Sequence, residues 1–255
     1  LLLVGGDAPT DAIAGRSDTM LLASLYVPQK ELRLTSFMRD LYVPIAGRGH
    51  NRLNAAYAFG GPDLLIRTLH EVFKIQVDGY VAVNYASMVT LVDAIGGVTV
   101  YVSDAELKSL NGILSYYRYL RGENQTQGLL QQAGLQELTG LQAMSYARIR
   151  KLDSDFERVA RQQRVMEAIF AKIRTLDAQT LVSLAFAHMD QVETDISAAE
   201  AVRLISQAHG VTVDTTRSLR IPVNGAYASK TIRGAAFIIP NMKRNLAALA
   251  AFLAP

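Results

Sequence analysis

The chain has 255 residues, of which 50% are hydrophobic and 19% are charged, and its formal net charge at pH 7 is +3. This composition allows a large buried core and excludes a disordered chain, and the mild charge without runs of like charges does not indicate a nucleic-acid-binding arm. Cysteine is absent, which excludes disulfides, thiol catalysis and cysteine-ligated zinc.

Predicted strands and helices alternate through the first part of the chain. The strands are predicted at residues 1–4, 19–27, 32–37, 75–84 and 98–102. The helices are predicted at residues 54–59, 63–73 and 87–95, with double glycines at 60–61 and 96–97 as helix breaks or ends. Alternation in this βαβ manner is typical of an α/β protein.

The second part of the chain is predicted to be mainly helical after an irregular segment. Residues 104–132 carry three glycines with Asn and Gln but no sustained period, so we expect a long surface excursion, either a lid or an insertion. Further helices are predicted at residues 135–148, 155–176, 180–192, after the capping box Ser197-x-x-Glu200, and at 242–253. Returning strands are predicted at residues 218–223 and 235–239.

The most informative segment is rich in arginine and surrounds the start of the helix predicted at 155–176. Ser154 and Glu157 form a Ser-x-x-Glu capping box, which places the helix N-terminus at Ser154. Arginine offers a rigid fork of donors and a helix start favours anions, so arginines aimed at this point would bind a polyanion. The arginines of this segment stand at positions 148, 150, 158, 161 and 164.

Projection around this helix separates the side chains. Arg158 and Gln162 flank an apolar stripe that is predicted to face the core, so we predict that they line an anion site. Arg161 and Arg164 are predicted to project into solvent as part of an ordinary charged face. The apolar helices fit a helical core more simply than a lipid-lined groove, and periodicity alone leaves both open. The stripe consists of Val159, Met166, Ile169, Phe170 and Ile173.

Charged residues also stand at neighbouring strand ends. Asp7 follows the first predicted strand, Asp18 precedes the second, and Arg39-Asp40 follows the third. Mg²⁺ is usually held by one or two carboxylates, with water and phosphate oxygens completing its shell, so Asp7 and Asp18 are candidate Mg²⁺ ligands. An Asx turn at Asp7 and a salt bridge from Asp18 to Arg16 would account for the same residues without a metal.

Other catalytic classes find no support in the sequence. The four histidines are scattered without the spacing of a metal site, and no Gly-x-Ser-x-Gly motif indicates a serine nucleophile. The double glycines form neither a dinucleotide fingerprint nor a Walker loop, so nucleotide cofactors are not indicated.

Taken together, these motifs resemble the LytR-CpsA-Psr family of bacterial cell-envelope proteins. Their order and spacing match the family from residue 1 to about residue 175, and residues 93–98 are also family-like. The chain departs from the family pattern at two positions. Met38 stands where the family usually has Pro, and Arg52 stands where it commonly has Lys. The segments that carry the resemblance are Gly6-Asp7, Arg16-Ser17-Asp18-Thr19, Ser36-Phe37-Met38-Arg39-Asp40, residues 52–61 (RLNAAYAFGG), and residues 140–150 (GLQAMSYARIR) through Arg161-Gln162.

The resemblance implies a fold and an activity. The fold would be α/β, a three-layer α/β/α sandwich with a central mixed sheet and an apolar lipid-binding channel between sheet and helices, in a single domain over residues 1–255. The activity would be that of a phosphotransferase that moves a glycopolymer from a polyprenyl pyrophosphate carrier onto peptidoglycan in cell-wall assembly. Family members act at the extracytoplasmic face of the bacterial cell membrane, where an N-terminal helix anchors them. The sequence starts within a predicted strand and has no run of eighteen apolar residues, so we expect such an anchor to precede Leu1.

The resemblance also assigns roles to individual residues. Asp7 and Asp18 match the carboxylates that hold Mg²⁺, the expected cofactor. Arg39 and Asp40 would act in catalysis, with Asp40 either a base for the acceptor hydroxyl or the ion-pair partner that orients Arg39. The pyrophosphate would be bound by Arg39, Arg52, Arg148, Arg150, Arg158 and Gln162.

Two alternatives stay open at this point. One is a polyprenyl pyrophosphate hydrolase, which would use the same groups with water as the acceptor. The other is a non-catalytic lipid-binding or regulatory module, because members of the family were long described as transcriptional attenuators. The sequence shows no helix-turn-helix motif and no basic stripe, so no nucleic acid is expected as a partner.

Overall fold

The computed structural model describes residues 1–6, 17–150, 152, 154–208 and 215–254 of the chain. The chain forms two compact units, of which unit 1 comprises Leu1–Tyr85 with Ala185–Pro255 and unit 2 comprises Ala86–Leu184. None of the helices in these described ranges is both long enough and apolar enough to cross a membrane.

The strands and helices are numbered in chain order. The strands are β1 (Leu2–Gly6), β2 (Ser17–Tyr26), β3 (Glu31–Phe37), β4 (Tyr42–Ile45), β5 (Gly49–Arg52), β6 (Tyr80–Val83), β7 (Val98–Val102), β8 (Gly134–Leu138), β9 (Glu193–Thr194), β10 (Thr216–Ile221), β11 (Tyr227–Ile232) and β12 (Ala235–Pro240). The helices are α1 (Asn54–Phe73), α2 (Tyr85–Ala94), α3 (Asp104–Leu120), α4 (Gly140–Ala147), α5 (Asp155–Ile173), α6 (Ala178–Ala187), α7 (Ala198–Ala208) and α8 (Met242–Leu253), and a 3₁₀ turn spans Met189–Gln191.

Unit 1 is built on a mixed six-stranded sheet with the strand order β10-β3-β2-β1-β6-β9. Strand β1 pairs antiparallel with β2 and parallel with β6, while β3 pairs antiparallel with β2 and parallel with β10. Every residue of β3 is buried, as expected for a strand that is covered on both faces. The prediction of an α/β fold with a mixed central sheet is therefore confirmed.

Helix α1 is interrupted where the sequence predicts a break. Gly60 and Gly61 have non-helical backbone angles, and the φ of 62° and ψ of −156° at Gly61 lie in a region that is essentially restricted to glycine. Pro62 follows, at the start of the second part of the helix, where its missing N–H costs no hydrogen bond. That second part packs on the sheet, because the ring centroids of Phe73 and Phe37 lie 5.0 Å apart.

The end of helix α8 is bound to the central sheet by two side chains. Arg33 Nη1 donates a hydrogen bond to the carbonyl oxygen of Phe252 over 2.7 Å, and the Tyr26 hydroxyl donates to that of Leu253 over 2.5 Å. Arg33 is itself fixed by Glu31, whose Oε1 lies 2.7 Å from Arg33 Nε. These bonds satisfy carbonyl groups that a helix end leaves without an intrahelical partner.

Unit 2 combines a two-stranded ribbon with packed helices. Strands β7 and β8 are antiparallel, α3 packs on α4, and α5 packs on both α4 and β7. Helix α3 begins with a reciprocal capping box between Ser103 and Glu106. The approach of α4 to α2 requires a glycine, because a Cβ atom on Gly140 would lie 2.0 Å from the carbonyl oxygen of Val89. The Gly140 N–H donates to Asp93 Oδ1 over 2.7 Å.

The predicted excursion over residues 104–132 is wrong for its first part. Residues 104–120 form helix α3, and the loop proper begins only at Arg121. Its buried positions Glu106, Leu110 and Leu114 are spaced by four residues, which is a helical period. Gly112 and the exposed tyrosines Tyr116 and Tyr119 lie on the other face and obscure this period in the sequence.

Three other predicted elements have a bound that lies well away from the observed one. The helix predicted at 135–148 begins only at Gly140, because the preceding residues pair with β7 as strand β8. The strand predicted at 75–84 is limited to β6, and the helix predicted at 180–192 ends at Ala187. The predicted helix at 242–253 agrees with α8 in both bounds.

Candidate functional site

Four charged residues of unit 1 form a continuous chain of ion pairs. Arg39 Nη1 lies 2.6 Å from Asp18 Oδ1, and Arg39 Nε lies 3.2 Å from Asp40 Oδ2. The other oxygen of Asp40 lies 3.0 Å from Arg52 Nε. The four side chains are between 17% and 28% exposed, so they are partly shielded from water and still accessible to a ligand. We call Asp18, Arg39, Asp40 and Arg52 the ion-pair cluster.

Strand pairing explains why these residues meet. Strands β2 and β3 are antiparallel, so the start of β2, which carries Asp18, lies beside the end of β3, which precedes Arg39. In the β4-β5 hairpin Tyr42 pairs with Arg52, which returns Arg52 to the side of Asp40. The structure therefore brings together four of the residues to which the family resemblance assigns catalysis, pyrophosphate binding or Mg²⁺.

Each charged group in the ion-pair cluster has a defined orientation. Arg52 Nη2 also donates to the carbonyl oxygen of Ala236 over 2.8 Å, and its guanidinium lies 5.1 Å from the ring centroid of Phe237. Asp40 lies between two arginines, a geometry that fits the role of orienting Arg39. Its alternative role as a base stays a prediction.

The arginine-rich segment of unit 2 begins as predicted, with Ser154 as the N-cap of α5. The Ser154 hydroxyl accepts a hydrogen bond from the Glu157 N–H over 3.4 Å. The predicted stripe of α5 is only partly confirmed, because Val159 and Ile169 are buried whereas Met166, Phe170 and Ile173 are half-buried. The buried stripe lies further round the helix, where α5 packs on α4 and β7. The buried side chains of α5 are those of Arg158, Val159, Arg161, Val165 and Ile169.

The two arginines upstream of α5 lie just after helix α4 ends. Arg148 is half-buried, donates a hydrogen bond to the hydroxyl of Tyr117, and stacks with its guanidinium 5.5 Å from that ring centroid. Arg150 is exposed, and the side chain of Ile149 between them is completely buried. Gln162 is half-buried. Sequence patterns do not indicate Tyr117 as a partner of Arg148, because Tyr117 lies on helix α3 and 31 positions away along the chain.

The prediction that Arg161 and Arg164 project into solvent is wrong for Arg161 and only partly right for Arg164, whose side chain is 38% exposed. The Arg161 side chain is 1% exposed, with Nη1 3.5 Å from Glu106 Oε1, and Arg164 Nη1 lies 3.3 Å from the same oxygen. Arg164 also donates to the Tyr146 hydroxyl. The physical reason is that a buried carboxylate from α3 offsets the cost of burying a guanidinium. One signal in the sequence indicates this carboxylate. Ser103-x-x-Glu106 is a capping box, which places Glu106 in the first turn of a helix.

Hydrogen bonds and charges hold Glu106 in its ionised form. Burial alone would raise its pKa, but the backbone N–H and hydroxyl of Ser103 donate to its carboxylate and Arg164 adds a positive charge, so the pKa is lowered from its usual value of 4.5. Burial raises the pKa of Tyr146 to about 12, so its hydroxyl stays a donor at neutral pH. That hydroxyl lies 3.2 Å from Glu106 Oε1.

The residues predicted to hold a metal are only partly described. Asp7 lies outside the described residues, and Asp18 belongs to the ion-pair cluster. Within the described ranges, no group of three or more His, Asp and Glu side chains is arranged to hold a metal ion. A Mg²⁺ site of one or two carboxylates, completed by water and phosphate, does not need such a group.

Comparison with known proteins identifies similar solved structures and the family of the chain. The fold matches the solved structure "TagT bound to LIIa-WTA" with a TM-score of 0.78 and 26% identity, over 100% of this chain and 90% of that one. A model of the LytR_cpsA_psr family matches residues 1–249. The chain belongs to the LytR_cpsA_psr family, as the motifs predict.

Two curated relatives are named as teichoic acid transferases. The chain is 37% identical over 172 residues to "Polyisoprenyl-teichoic acid--peptidoglycan teichoic acid transferase TagU" of Halalkalibacterium halodurans, a match that covers 66% of this chain and 51% of the relative. It is 34% identical over 203 residues to the protein of the same name from Enterococcus faecalis, which covers 77% of this chain and 61% of the relative. The chain thus spans between half and two thirds of the length of these relatives.

Proposed function

We propose that this protein transfers a glycopolymer of the teichoic acid class from a polyprenyl pyrophosphate carrier onto peptidoglycan. The observation that carries the proposal is the ion-pair cluster of unit 1, which places Arg39 and Arg52 beside two carboxylates at the positions of the family motifs. The names of the related transferases support the same reaction. The groups that we propose bind the pyrophosphate are Arg39, Arg52, Arg148, Arg150, Arg158 and Gln162.

The proposed reaction breaks the phosphoanhydride bond of the carrier and forms a phosphodiester with the acceptor. The acceptor hydroxyl oxygen attacks the phosphorus that carries the glycopolymer, and a new P–O bond forms as the P–O bond to polyprenyl phosphate breaks. Polyprenyl phosphate leaves with the electron pair, and the hydroxyl proton passes to a base, for which Asp40 is our candidate. The arginines stabilise the charge on the phosphate oxygens, because phosphoryl transfer depends mainly on positioning and charge neutralisation.

We assign Mg²⁺ to Asp7 and Asp18 as part of the proposal. The chemistry of the donors fits the ion, since a carboxylate held in a fixed orientation by Arg39 is a suitable oxygen ligand for Mg²⁺. When bound, the ion would supply further positive charge to the phosphate oxygens. Asp18 would thus serve both to orient Arg39 and to hold the metal.

The proposal includes a lipid site and a location. The polyprenyl tail needs an apolar channel, to which the half-buried apolar side chains of α5 are suited. We propose that the protein acts at the extracytoplasmic face of the bacterial cell membrane, held there by an N-terminal helix. Lipid-linked substrate and peptidoglycan would both be within reach at that location.

A reconstituted transfer assay tests the proposal. Purified protein is incubated with polyprenyl-pyrophosphate-linked glycan and peptidoglycan, and both attached glycan and soluble sugar phosphate are measured. We expect attachment that stops on removal of Mg²⁺ with a chelator. Release of sugar phosphate without attachment would instead identify a hydrolase.

Two substitutions test the site within the same assay. Asp18→Ala and Arg148→Ala are expected to abolish most of the transfer, because they remove a metal ligand and a phosphate-binding group. The matched control is Arg67→Ala, which removes an exposed arginine whose partner is Glu71 on the same helix. If both site variants transfer glycan at the rate of the control, the assigned site is wrong.

A further inference from the structure

The segment that carries Arg148 and Arg150 is not held by regular secondary structure. Helix α4 ends at Ala147, and residues 149 and 150 belong to no helix or strand. Their orientation depends on Ile149, whose buried side chain faces inward while the arginines on either side of it remain accessible. The backbone of Ile149 therefore decides where the two arginines point.

The carbonyl group of Ile149 is bound by a buried arginine of α5. Arg161 Nη2 donates to the Ile149 carbonyl oxygen over 3.1 Å, while Nη1 of the same guanidinium lies 3.5 Å from Glu106 Oε1. The planar fork of an arginine fixes the angle between its donors, so holding one edge of the group on a carboxylate orients the other. A lysine at the same position would offer a single point charge in place of two divergent donors.

Glu106 is in turn fixed from the other side. Its Oε2 accepts hydrogen bonds from the backbone N–H and the hydroxyl of Ser103, over 3.0 Å and 2.9 Å. Its Oε1 faces Arg161, Arg164 and the Tyr146 hydroxyl. The capping box of α3 thus presents one carboxylate oxygen to the arginines of α5 in a fixed direction.

We infer that Arg161, oriented by Glu106, is a positioning residue that holds the Ile149 backbone so that Arg148 and Arg150 point towards the phosphate groups. This inference rests on the proposed function for the role of Arg148 and Arg150. The hydrogen bond from Arg161 to the Ile149 carbonyl is present in the protein without ligand, so its effect can be measured in that state.

A purely structural role for Arg161 makes a different prediction. Arg164 pairs with the same oxygen of Glu106, but its described contacts are with the side chains of Glu106, Tyr146 and Glu157 and not with the Ile149 carbonyl. If Glu106 and its arginines only stabilise the core, lysine at position 161 or 164 would have comparable effects. If Arg161 positions the segment, only Arg161→Lys frees the Ile149 backbone, and Arg164→Lys does not.

Amide hydrogen exchange in the protein without ligand is the first measurement. In Arg161→Lys we expect the amides of residues 148–150 to exchange about tenfold faster, because a charge-assisted bond to the backbone is lost. In Arg164→Lys we expect the exchange of these amides to be unchanged. Equal exchange in wild type and Arg161→Lys would overturn the inference.

Affinity for polyprenyl pyrophosphate in detergent is the second measurement. We expect Arg161→Lys to bind about tenfold or more weakly than Arg164→Lys, since small displacements of binding groups are costly. Equal affinity of the two variants overturns the inference. If the wild type neither binds nor transfers the lipid, the proposed function fails, while the exchange measurement still decides the positioning role.

A second variant keeps the test decisive if Arg161→Lys does not fold. Glu106→Gln retains an oxygen that can face Arg161 but loses the charge that holds it. We expect a smaller acceleration of exchange at residues 148–150 than in Arg161→Lys, confined to the same amides. Unchanged exchange in a folded Glu106→Gln protein also overturns the inference.

Discussion

Arg39 is the residue of the ion-pair cluster that links Asp18 to Asp40. Its Nη1 and Nε bind two different carboxylates, those of Asp18 and Asp40. We expect Arg39→Lys to lower the transfer rate about a hundredfold, because lysine lacks the planar fork of donors that reaches both carboxylates and a phosphate at once. The measurement is the rate of glycan attachment, with an unchanged melting curve as evidence that the variant is folded.

The control for Arg39→Lys is the same change at an exposed position. Arg67 pairs with Glu71 one helical turn away and lies outside the cluster, so Arg67→Lys is expected to transfer at the wild-type rate. A transfer rate of Arg39→Lys equal to that of this control would exclude Arg39 from the reaction.

The ionised carboxylate of Glu106 makes the stability of the fold depend on pH. Its pKa in the folded protein is lowered below the usual 4.5, so its ionised form stabilises the fold above that pH and this contribution is lost as the pH falls through the lowered value. We expect Glu106→Gln to be less stable than wild type at pH 7 and to lose less stability on acidification below pH 4.5. Denaturant unfolding at a series of pH values measures both. If the free energy of unfolding fell equally with pH in both proteins, the proposed contribution of ionised Glu106 would be wrong.

The positions of some of these residues follow from the sequence and those of others do not, for a physical reason. Asp18 and Arg39 were predictable because each stands at a strand end, and strand pairing brings such ends together. Arg161 was misjudged because projection around a helix gives the direction of a side chain and not its partner. The partner, Glu106, lies on another helix of unit 2 and 55 positions away in sequence.

Among the elements, helix α1 contains a break whose backbone conformation only glycine adopts without strain. Gly61 has φ and ψ of 62° and −156°, so we expect Gly61→Ala to lower the free energy of unfolding by about 1–3 kcal/mol. The matched control is Gly112→Ala in the interior of α3, where an added Cβ meets nothing within 4 Å. That change should raise the free energy by about 0.5–1 kcal/mol. Denaturant unfolding measures both, and a Gly61→Ala protein as stable as wild type would contradict the strain.

Element predictions succeeded where one local signal dominated. Helix α8 has an unbroken helical period after Asn241, whose side chain caps it, and both its bounds were predictable. Strand β8 was misassigned because Gly134–Leu138 is a short segment whose conformation is set by pairing with β7. Its register with that strand is tertiary information, which propensity and period do not contain.

For the molecule as a whole, charge limits how an anion can be attracted. The formal net charge is only +3, so general attraction to a polyanion is weak and affinity must come from arginines in fixed positions. We expect the protein to show no steeply salt-dependent binding of duplex DNA, as measured by fluorescence anisotropy at increasing salt. Tight binding that weakens steeply with salt would contradict this prediction and favour a regulatory role.

A ligand that binds only the folded protein raises the free energy of unfolding. With polyprenyl pyrophosphate at about a hundred times its Kd, the free energy of unfolding should rise by about 2.7 kcal/mol. The polyprenyl monophosphate should stabilise less at the same concentration, because it offers fewer phosphate oxygens to the arginines. Thermal unfolding in a detergent that is itself neutral to stability measures the difference. Equal stabilisation by the two lipids would mean that the tail alone is recognised, and the assignment of the arginines to a pyrophosphate would then be wrong.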